Sequence, residues 1–453
     1  MLRRSIVAVC AFAVLTGLAW AQPPRPPVGP QPVTAIRAGR LIDPESGTAA
    51  SNQIILVEGD TIKAVGPNVQ IPPGATVIDL SKLTVLPGLV DAHEHLAMTM
   101  KDVPESNYYY LTYIMDSSPL RAIQAASNGI QLLASGFTVI RDLGNSGLYT
   151  DTAVRQAIEQ GWIPGPTVIN SGIMISGRGG QFWPTPEMDK YHNILYPEYI
   201  DADSHDEIVK AVRENALFGA RIIKVMVDAK PWGYSVEELK LFITEAAKAG
   251  LRVAGHVSSA EGLRRAIDAG IWSVEHGGGL TDETARLMAQ KGIWLAGTET
   301  PLTPYRGTQA GFERSINKLK LAYANKVPLT FSTDLAYWNE KMRDEKTGEW
   351  LTRGDLTINF LLTWKAAGIP ASDILRAMTI NGYKCAEVDK VRGPIKPGLK
   401  ADIIAVPGNP LEDIDALRNV QFVMKEGTVF KRDGAMTPGK FFHPGPVNGW
   451  RIR

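Results

Sequence analysis

The chain has 453 residues, of which 44% are hydrophobic and 21% are charged. This length exceeds one small domain and accommodates a large domain with an accessory one. The formal net charge is +1, so composition gives no sign of the basic field that draws in nucleic acid or an acidic membrane surface. We therefore expect a globular protein with no nucleic-acid partner.

The first 32 residues are predicted to lie outside the fold. A short basic region is followed by an apolar run that ends in the cleavage box Ala19-Trp20-Ala21, which is typical of a secretory signal peptide over residues 1–21. Residues 22–32 are proline-rich and predict an extended linker. An uncleaved anchor is the alternative, although the apolar run is short for a bilayer span. We expect an exported protein, periplasmic or secreted, with no stable membrane anchor.

Two separated segments have the same β-type character. Residues 33–86 and 398–435 contain short runs of β-favouring residues divided by turn residues, including a hairpin candidate across Glu426-Gly427. We predict that both segments meet in one small β-sandwich domain. Residues 436–453 would then form a C-terminal tail.

The pattern between them, over residues 87–397, alternates between strand and helix. Eight short apolar runs are each followed by polar or glycine-rich residues, and helix-like segments such as 236–249 end at a glycine. The runs cover residues 84–95, 136–143, 167–176, 221–228, 251–257, 271–276, 292–297 and 328–334. Eight alternations predict an α/β fold with a closed parallel (β/α)8 TIM barrel. A doubly wound open sheet is the alternative.

Six metal-capable or ionisable residues lie in or at the ends of these runs, where the active sites of barrels are built. They are His93, His95, Lys224, His256, His276 and Asp334. His93 and His95 are two apart on a strand and share one side, whereas Glu94 points away and is not expected to be a ligand. Each residue alone also has a structural interpretation, such as a core histidine or a helix cap. Together, they predict two divalent metal ions, with zinc favoured by the imidazole and carboxylate donors.

Lys224 needs a separate explanation. The alternation of its strand groups Ile222, Lys224 and Met226 on one face, and a buried ammonium is costly unless its pKa falls or it is paired. A neutral lysine amine can react with carbon dioxide to form a carbamate, an anionic bidentate ligand suited to bridging two cations. The alternative is a strand-end lysine whose charge reaches solvent.

Two segments carry a family resemblance. Residues 86–95 (LPGLVDAHEH) and 391–402 (VRGPIKPGLKAD) resemble motifs of the amidohydrolase superfamily, and the resemblance covers essentially the whole mature chain. Within it, the chain is most similar to the imidazolonepropionase-like group, which includes prolidase-type metal-dependent dipeptidases and carboxypeptidases. The segment around Lys224 resembles the binuclear, lysine-bridged members more than true imidazolonepropionases. The latter have a site of the mononuclear type, without the lysine.

The resemblance implies a role for each ligand. His93 and His95 would hold the more buried metal with Asp334, a carbamate on Lys224 would bridge both metals, and His256 and His276 would hold the second, as carried over from the family. Asp334 would also be the catalytic residue, taking a proton from the bridging hydroxide and passing it to the leaving amine.

The predicted substrate contacts depart from the family in one place. Relatives often carry Gly-Gly-His after the third strand, but this chain has Gly179-Gly180-Gln181. Gln181 can donate a hydrogen bond to a substrate oxygen but cannot donate a proton. We also predict that Tyr234 polarises the scissile carbonyl and that Arg178 binds a substrate carboxylate, with a solvent-facing arginine as the alternative.

The expected substrate is a small-molecule amide. The leading interpretation is hydrolysis of a non-cyclic amide bond next to a C-terminal residue, in a dipeptide or an N-acyl amino acid, with a mycotoxin-type aryl-amide as a variation. A cyclic amide or lactone hydrolase is the second interpretation, and a non-catalytic binding protein is the third. Since barrels with exposed helices often assemble, we also expect a homo-oligomer.

Overall fold

The structure is a computed structural model that describes residues 31–99, 115–144, 147–183, 185–190, 196–303, 307–336, 342–344 and 347–437. The predicted signal peptide, most of the predicted linker and residues 438–453 of the predicted tail lie outside the described residues. In the part of the chain that is described, no helix is long and apolar enough to cross a membrane.

Strands and helices alternate along most of the chain. The strands are β1 (Val33–Asp43), β2 (Thr48–Glu58), β3 (Thr61–Gly66), β4 (Thr76–Pro87), β5 (Leu89–Glu94), β6 (Phe137–Asp142), β7 (Thr167–Asn170), β8 (Met174–Ser176), β9 (Tyr199–Asp201), β10 (Ile223–Met226), β11 (Val253–His256), β12 (Ser273–Glu275), β13 (Trp294–Ala296), β14 (Leu329–Thr330), β15 (Ile403–Val406), β16 (Phe422–Lys425), β17 (Thr428–Arg432) and β18 (Ala435–Met436). The α-helices are α1 (Ser118–Ala134), α2 (Thr150–Glu159), α3 (Pro186–Asp189), α4 (His205–Leu217), α5 (Val236–Lys248), α6 (Ala260–Ala269), α7 (Asp282–Lys291), α8 (Gln309–Ala324), α9 (Arg353–Ile358), α10 (Leu361–Ala366), α11 (Ala371–Arg376) and α12 (Gly382–Cys385). A π-helical turn covers Ala377–Asn381 and a 3-10 helix covers Ile414–Arg418.

Both ends of the chain form one eight-stranded sheet in the order β18-β17-β16-β15-β4-β1-β2-β3. Alternate residues of these strands face a common core, so that Ile36 and Ile55 are buried while Arg37 is exposed. Ile403 and Phe422, from the C-terminal segment, lie in the same core as Ile36. This arrangement is consistent with the predicted β-sandwich built from both ends.

Parallel strands form the rest of the β-structure, in two sheets. The first has the order β5-β6-β7 and the second the order β14-β13-β12-β11-β10-β8-β9. The predicted third strand, residues 167–176, is in fact two strands: β7 pairs with β6, and β8 pairs with β10. The short strand β9, which pairs with β8, was not predicted.

The break between β7 and β8 has a physical cause. Gly172 has a φ of +66°, a left-handed conformation that glycine adopts without steric cost. The backbone groups that the break removes from the ladder are bonded by side chains: Asp151 accepts from the N–H of Gly172 at 2.7 Å, and the Asn215 amide bonds both polar groups of Ile173. The same chain segment therefore belongs to both parallel sheets.

The opposite edges of the two sheets also contact each other. The N–H of Ala92 in β5 donates to the carbonyl of Phe331 at 2.9 Å, and the N–H of Asp334 donates to the carbonyl of His93 at 2.7 Å. A parallel bridge joins Glu94 to Leu335. The chain just after β14 therefore runs beside β5, although no continuous ladder forms there.

The helices that follow the strands begin and end at local signals. In α5 the side chain of Ser235 accepts from the N–H of Glu238 and the Glu238 side chain bonds back, which forms a capping box. Gly270 and Gly292 end α6 and α7 in the left-handed conformation. These signals fix the length of each helix and hence where the next strand begins.

Candidate metal centre

The structure places all six predicted ligands where the parallel strands end. His93 lies in β5 and His95 directly follows that strand, Lys224 lies in β10, and His256 is the last residue of β11. His276 directly follows β12, and Asp334 lies a few residues after β14. The topology thus brings together residues that are up to 241 positions apart.

Three of the six form a compact cluster. The Nε2 atom of His95 lies 2.9 Å from Oδ1 of Asp334, and Nε2 of His93 lies 3.7 Å from the same oxygen. Donor atoms of His93, His95 and Asp334 all lie within 4.8 Å of one another, which is close enough to hold one metal ion. His93 is fully buried and the Asp334 side chain is 37% exposed, so the cluster opens to solvent on the aspartate side.

The other three residues continue this cluster. Nζ of Lys224 lies 3.4 Å from Nε2 of His93. The ring centroids of His93 and His276 are 4.9 Å apart, and those of His256 and His276 are 4.3 Å apart. Four imidazoles, one carboxylate and one amine are therefore contiguous, and this is a donor set that suits zinc-like divalent ions.

The electrostatic environment keeps His93, His256 and Asp334 in the forms that bind metal. Burial lowers the pKa of His93 to about 4 and that of His256 to about 3, and Lys224 adds to both effects. Burial alone would raise the pKa of Asp334, but the hydrogen bond from His95 and the neighbouring histidines hold it well below its usual range. Neutral imidazoles and an ionised carboxylate are the states that metal coordination requires.

Lys224 is 1% exposed, and burial lowers its pKa to about 8. Its amine contacts an imidazole nitrogen, and within the described ranges no carboxylate lies at salt-bridge distance from it. Burial and the absence of a close counter-ion favour the neutral amine, which is the form that reacts with carbon dioxide. The site therefore fits the chemistry predicted for this lysine.

A chain of buried charged groups orients His93, and the sequence analysis missed it. Glu275 accepts from Nδ1 of His93 at 2.8 Å, while its other oxygen accepts from Arg141 and from Ser273, each at 2.5 Å. Arg141 also donates to the sulfur of Cys385 at 2.7 Å. Burial would raise the pKa of Glu275, but Arg141, His93 and Lys224 together outweigh burial and lower this pKa. The anionic Glu275 fixes the tautomer of His93, so that Nε2 of this ring faces His95 and Asp334 and is free to bind a metal ion. The available signal was a charged residue in or at the end of each of two buried strands.

Backbone strain and direct contacts hold the ligands on the other strands. His276 and Asp334 have φ values of +66° and +52°, which are uncommon for residues with a Cβ atom and cluster at functional sites. The Lys318 ammonium donates to the carbonyl of His276 at 2.7 Å and to that of Gly297. Nδ1 of His276 lies 2.8 Å from the hydroxyl of Thr298. Sequence reasoning gave no role to Lys318, because its partners lie on two other strands.

Glu94 is turned away from the cluster, as expected from strand alternation. Both of its carboxylate oxygens accept from Arg353, at 3.0 and 2.6 Å. The pair is buried, with 4% of the arginine side chain exposed and none of the glutamate. This ion pair fixes the end of β5 and holds the Glu94 carboxylate away from the cluster.

Of the three predicted substrate-binding residues, Gln181 lies at the cluster. Its Nε2 atom is 3.4 Å from Nε2 of His256, and its oxygen accepts from the hydroxyl of Tyr199 at 2.8 Å. The tyrosine fixes the amide orientation, so the N–H groups point towards the histidines. Tyr199 was also missed, because it lies in β9, a strand that was not predicted.

The other two lie elsewhere. The Tyr234 hydroxyl is buried and donates to the carbonyl of Ala202 at 2.9 Å, so polarising a substrate carbonyl would require this bond to break. Arg178 is exposed and lines a separate cavity of about 350 Å3 with Tyr196 and Lys210. The structure thus brings Gln181 to the histidines and places the other two side chains in different surroundings.

Residues 84–430 match the amidohydrolase family, and the chain belongs to this family. The ochratoxinase of Aspergillus niger is 27% identical over 450 residues, covering 89% of this chain and 87% of that protein. Its crystal structure has a TM-score of 0.73 at 25% identity and covers 90% of this chain and 97% of that chain. The imidazolonepropionase of Alkaliphilus metalliredigens is 25% identical over 418 residues, which is 82% of this chain and 89% of that protein. A solved Xaa-Pro dipeptidase with bound methionine has a TM-score of 0.73 at 26% identity, covering 88% of this chain and 100% of that one.

The family resemblance predicted from residues 86–95 and 391–402 is confirmed. The protein is a metal-dependent hydrolase that acts on carbon–nitrogen bonds. Membership also implies a TIM-barrel-like fold, in agreement with the alternation of parallel strands and helices described above.

Proposed function

We propose that the protein is an exported binuclear amidohydrolase that cleaves a non-cyclic amide bond next to a C-terminal residue. Its substrates would be dipeptides, N-acyl amino acids or related aryl-amides. The observation that carries the proposal is the position of Lys224. It is buried 3.4 Å from His93 and close enough to His256 to lower the pKa of that imidazole, and it has no carboxylate partner at salt-bridge distance among the described residues. The ochratoxinase and dipeptidase relatives support amide hydrolysis as the reaction.

The ligands divide into two groups around Lys224. His93, His95 and Asp334 would hold one ion, while His256 and His276 would hold the other, with a carbamate on Lys224 shared between them. Zinc suits these donors. When bound, two such ions polarise a carbonyl group and lower the pKa of a water molecule to near 7.

The chain itself supplies the proton transfer and the orientation of the substrate. The Asp334 carboxylate is ionised and partly open to solvent, so it can accept the proton of the attacking water and pass it to the leaving amine. Gln181 can donate a hydrogen bond to the carbonyl oxygen of the substrate as negative charge develops there. Glu275 keeps Nε2 of His93 free to act as a ligand.

The barrel and the export of the protein are parts of the same proposal. We infer that the two parallel sheets close into one (β/α)8 barrel. The shared segment 167–176 and the hydrogen bonds from β5 to residues 331–334 support closure. Export depends on residues 1–21, which lie outside the described residues.

A cyclic amide or lactone hydrolase is the second candidate function, and the imidazolonepropionase relative favours it. The two candidates differ in their dependence on Lys224. A site with one metal would need the first group of ligands alone, whereas the binuclear site needs the lysine as a bridge.

Metal content and substrate turnover test the proposal together. We expect purified mature protein to hold about two equivalents of zinc by elemental analysis, and Lys224→Ala to lose most of the metal and the hydrolysis of a dipeptide and N-acyl amino acid panel. Added acetate should restore part of both, because a small carboxylate can occupy the position of the carbamate. About one equivalent of metal, unchanged in the variant, would contradict the bridging role and place cyclic-amide hydrolysis first.

A further inference from the structure

A cavity of about 920 Å3 opens beside the second pair of histidines. His276 lines it, as does Ser258, whose hydroxyl lies 3.0 Å from Nε2 of His256. Arg314 and Lys318 line it from one face of α8, where they are one helical turn apart. The cavity therefore extends from the second group of ligands to the surface of this helix.

Three glycines form another part of the lining. A Cβ atom on Gly278 would lie 2.1 Å from the carbonyl oxygen of Ser258, and one on Gly279 would lie 2.4 Å from the backbone nitrogen of Ala260. The glycines let this loop pack directly against the preceding strand–helix loop. No side chain of residues 277–279 then projects into the space next to α8.

The charged residues that line this cavity are all cationic. Arg314 and Lys318 contribute positive charge, and no aspartate or glutamate is present among the described lining residues. Lys318 is already bonded to the carbonyls of His276 and Gly297 and lies 3.8 Å from Glu299. Arg314 is exposed and, over the described ranges, has neither a hydrogen bond nor an ion pair. Its guanidinium is thus available to a ligand.

The position of Arg314 limits which anion it can bind. On α8, Arg314 lies one helical turn, about 6 Å along the axis, from Lys318, whose ammonium donates to the carbonyl of His276. The α-carboxylate of a substrate is only two bonds from the scissile nitrogen, so it stays close to the metal-binding residues. A carboxylate at the end of an acidic side chain extends several bonds further and can reach a planar guanidinium that binds it through two hydrogen bonds.

We propose that Arg314 is a specificity residue that binds the side-chain carboxylate of the residue released by hydrolysis, so that the enzyme prefers N-acyl-glutamate and related acidic substrates. This inference rests on the proposed amide hydrolysis and adds the chemical class of the substrate. The cavity provides the volume for the side chain, and Arg314 provides its charge partner.

The test compares N-benzoyl-glutamate with the isosteric N-benzoyl-glutamine on zinc-loaded enzyme. We expect wild type to hydrolyse the glutamate compound with a kcat/KM at least tenfold higher. Arg314→Gln should lose this preference mainly through a higher KM for the glutamate compound. Arg314→Glu should hydrolyse N-benzoyl-lysine with a higher kcat/KM than N-benzoyl-glutamate. Lys320→Gln, which removes an exposed cation on the same helix outside the cavity, should behave as wild type.

A binding measurement separates this inference from the proposed function. Calorimetric titration with N-acetylglutamate should show binding to wild type that weakens at least tenfold in Arg314→Gln and is unchanged in Lys320→Gln. Equal affinity in wild type and Arg314→Gln would overturn the inference, whatever the activity. Binding that depends on Arg314 without hydrolysis of any amide would overturn the proposed function and leave the anion subsite supported.

Discussion

Glu275 shows how much one buried side chain contributes to this site. Replacing it with glutamine keeps its shape but removes the negative charge that faces both His93 and Arg141. We expect Glu275→Gln to weaken metal binding about 10–100-fold, as loss of the partner of a metal-binding histidine typically does. We also expect a loss of stability of about 3–5 kcal/mol, because the Arg141 guanidinium remains buried without its counter-ion.

Chelator competition and urea unfolding measure these two effects. Glu261→Gln is the control, since that side chain is 81% exposed and lies 3.8 Å from Arg265; it should change neither quantity. Unchanged metal affinity in Glu275→Gln would show that packing alone orients the His93 ring.

Sequence patterns indicate the six predicted ligands but not the residues that orient them. His93, His256 and the other predicted ligands could be proposed because each is an unusual polar residue in or at the end of an apolar run. Glu275 and Arg141 are equally unusual within their strands, but their partners are 182 and 134 positions away. The order of the strands in the sheet decides which buried charged residues form ion pairs. Local patterns in a single sequence do not reveal that order.

At the scale of elements, α8 holds the ends of two strands through Lys318. The ammonium bonds the backbone carbonyls of His276, after β12, and Gly297, after β13. His276 is in a strained left-handed conformation, and such a conformation persists only when its surroundings enforce it. We expect Lys318→Met, which keeps the apolar stem, to lower the metal content from about two equivalents to about one, as the second group of ligands loses its geometry.

Elemental analysis after dialysis measures the outcome, with Lys320→Met on the same helix as the matched control. Thermal unfolding of the metal-free proteins shows whether the fold is retained. Two equivalents of metal in a folded Lys318→Met protein would contradict the positioning role of α8.

Helices and strands also differ in how well sequence predicts them. The predicted helix segment 236–249 agrees with α5 to within one residue, because capping side chains and terminal glycines act locally. The predicted strand 167–176 was wrong as a single element. The break at Gly172 is stabilised by Asp151 and Asn215, and both come from other helices, so no local pattern indicates it.

At the scale of the whole molecule, the two ends of the chain determine where the metal-binding part begins. β4 lies in the terminal sheet between β1 and β15, and only Gly88 separates it from β5, which carries His93. The N–H of Gly88 donates to the carbonyl of Asp402 at 3.0 Å, and its carbonyl accepts from the hydroxyl of Tyr383 at 2.6 Å. These two hydrogen bonds therefore fix the start of β5, the strand that carries His93.

The stability of the metal-free protein against pH provides a final prediction. The pKa of Lys224 is about 8 in the folded protein, against a usual value of 10.5. Between these values the unfolded chain binds the extra proton, so the free energy of unfolding should rise with pH from about 8 to 10.5 through this group. The full effect is roughly 3 kcal/mol at 1.36 kcal/mol per pKa unit.

Tyr383 and Cys385 titrate in the opposite sense, because burial raises the pKa of Cys385 to about 12 and also raises that of Tyr383. The contribution of Lys224 is therefore the difference between wild type and Lys224→Met, measured by urea unfolding in bicarbonate-free buffer at each pH. Wild type should gain stability relative to the variant as the pH rises from 8 to 10.5. A constant difference between the two proteins would show that the buried lysine keeps its ordinary pKa, and the neutral amine needed for carbamate formation would then lose its physical basis.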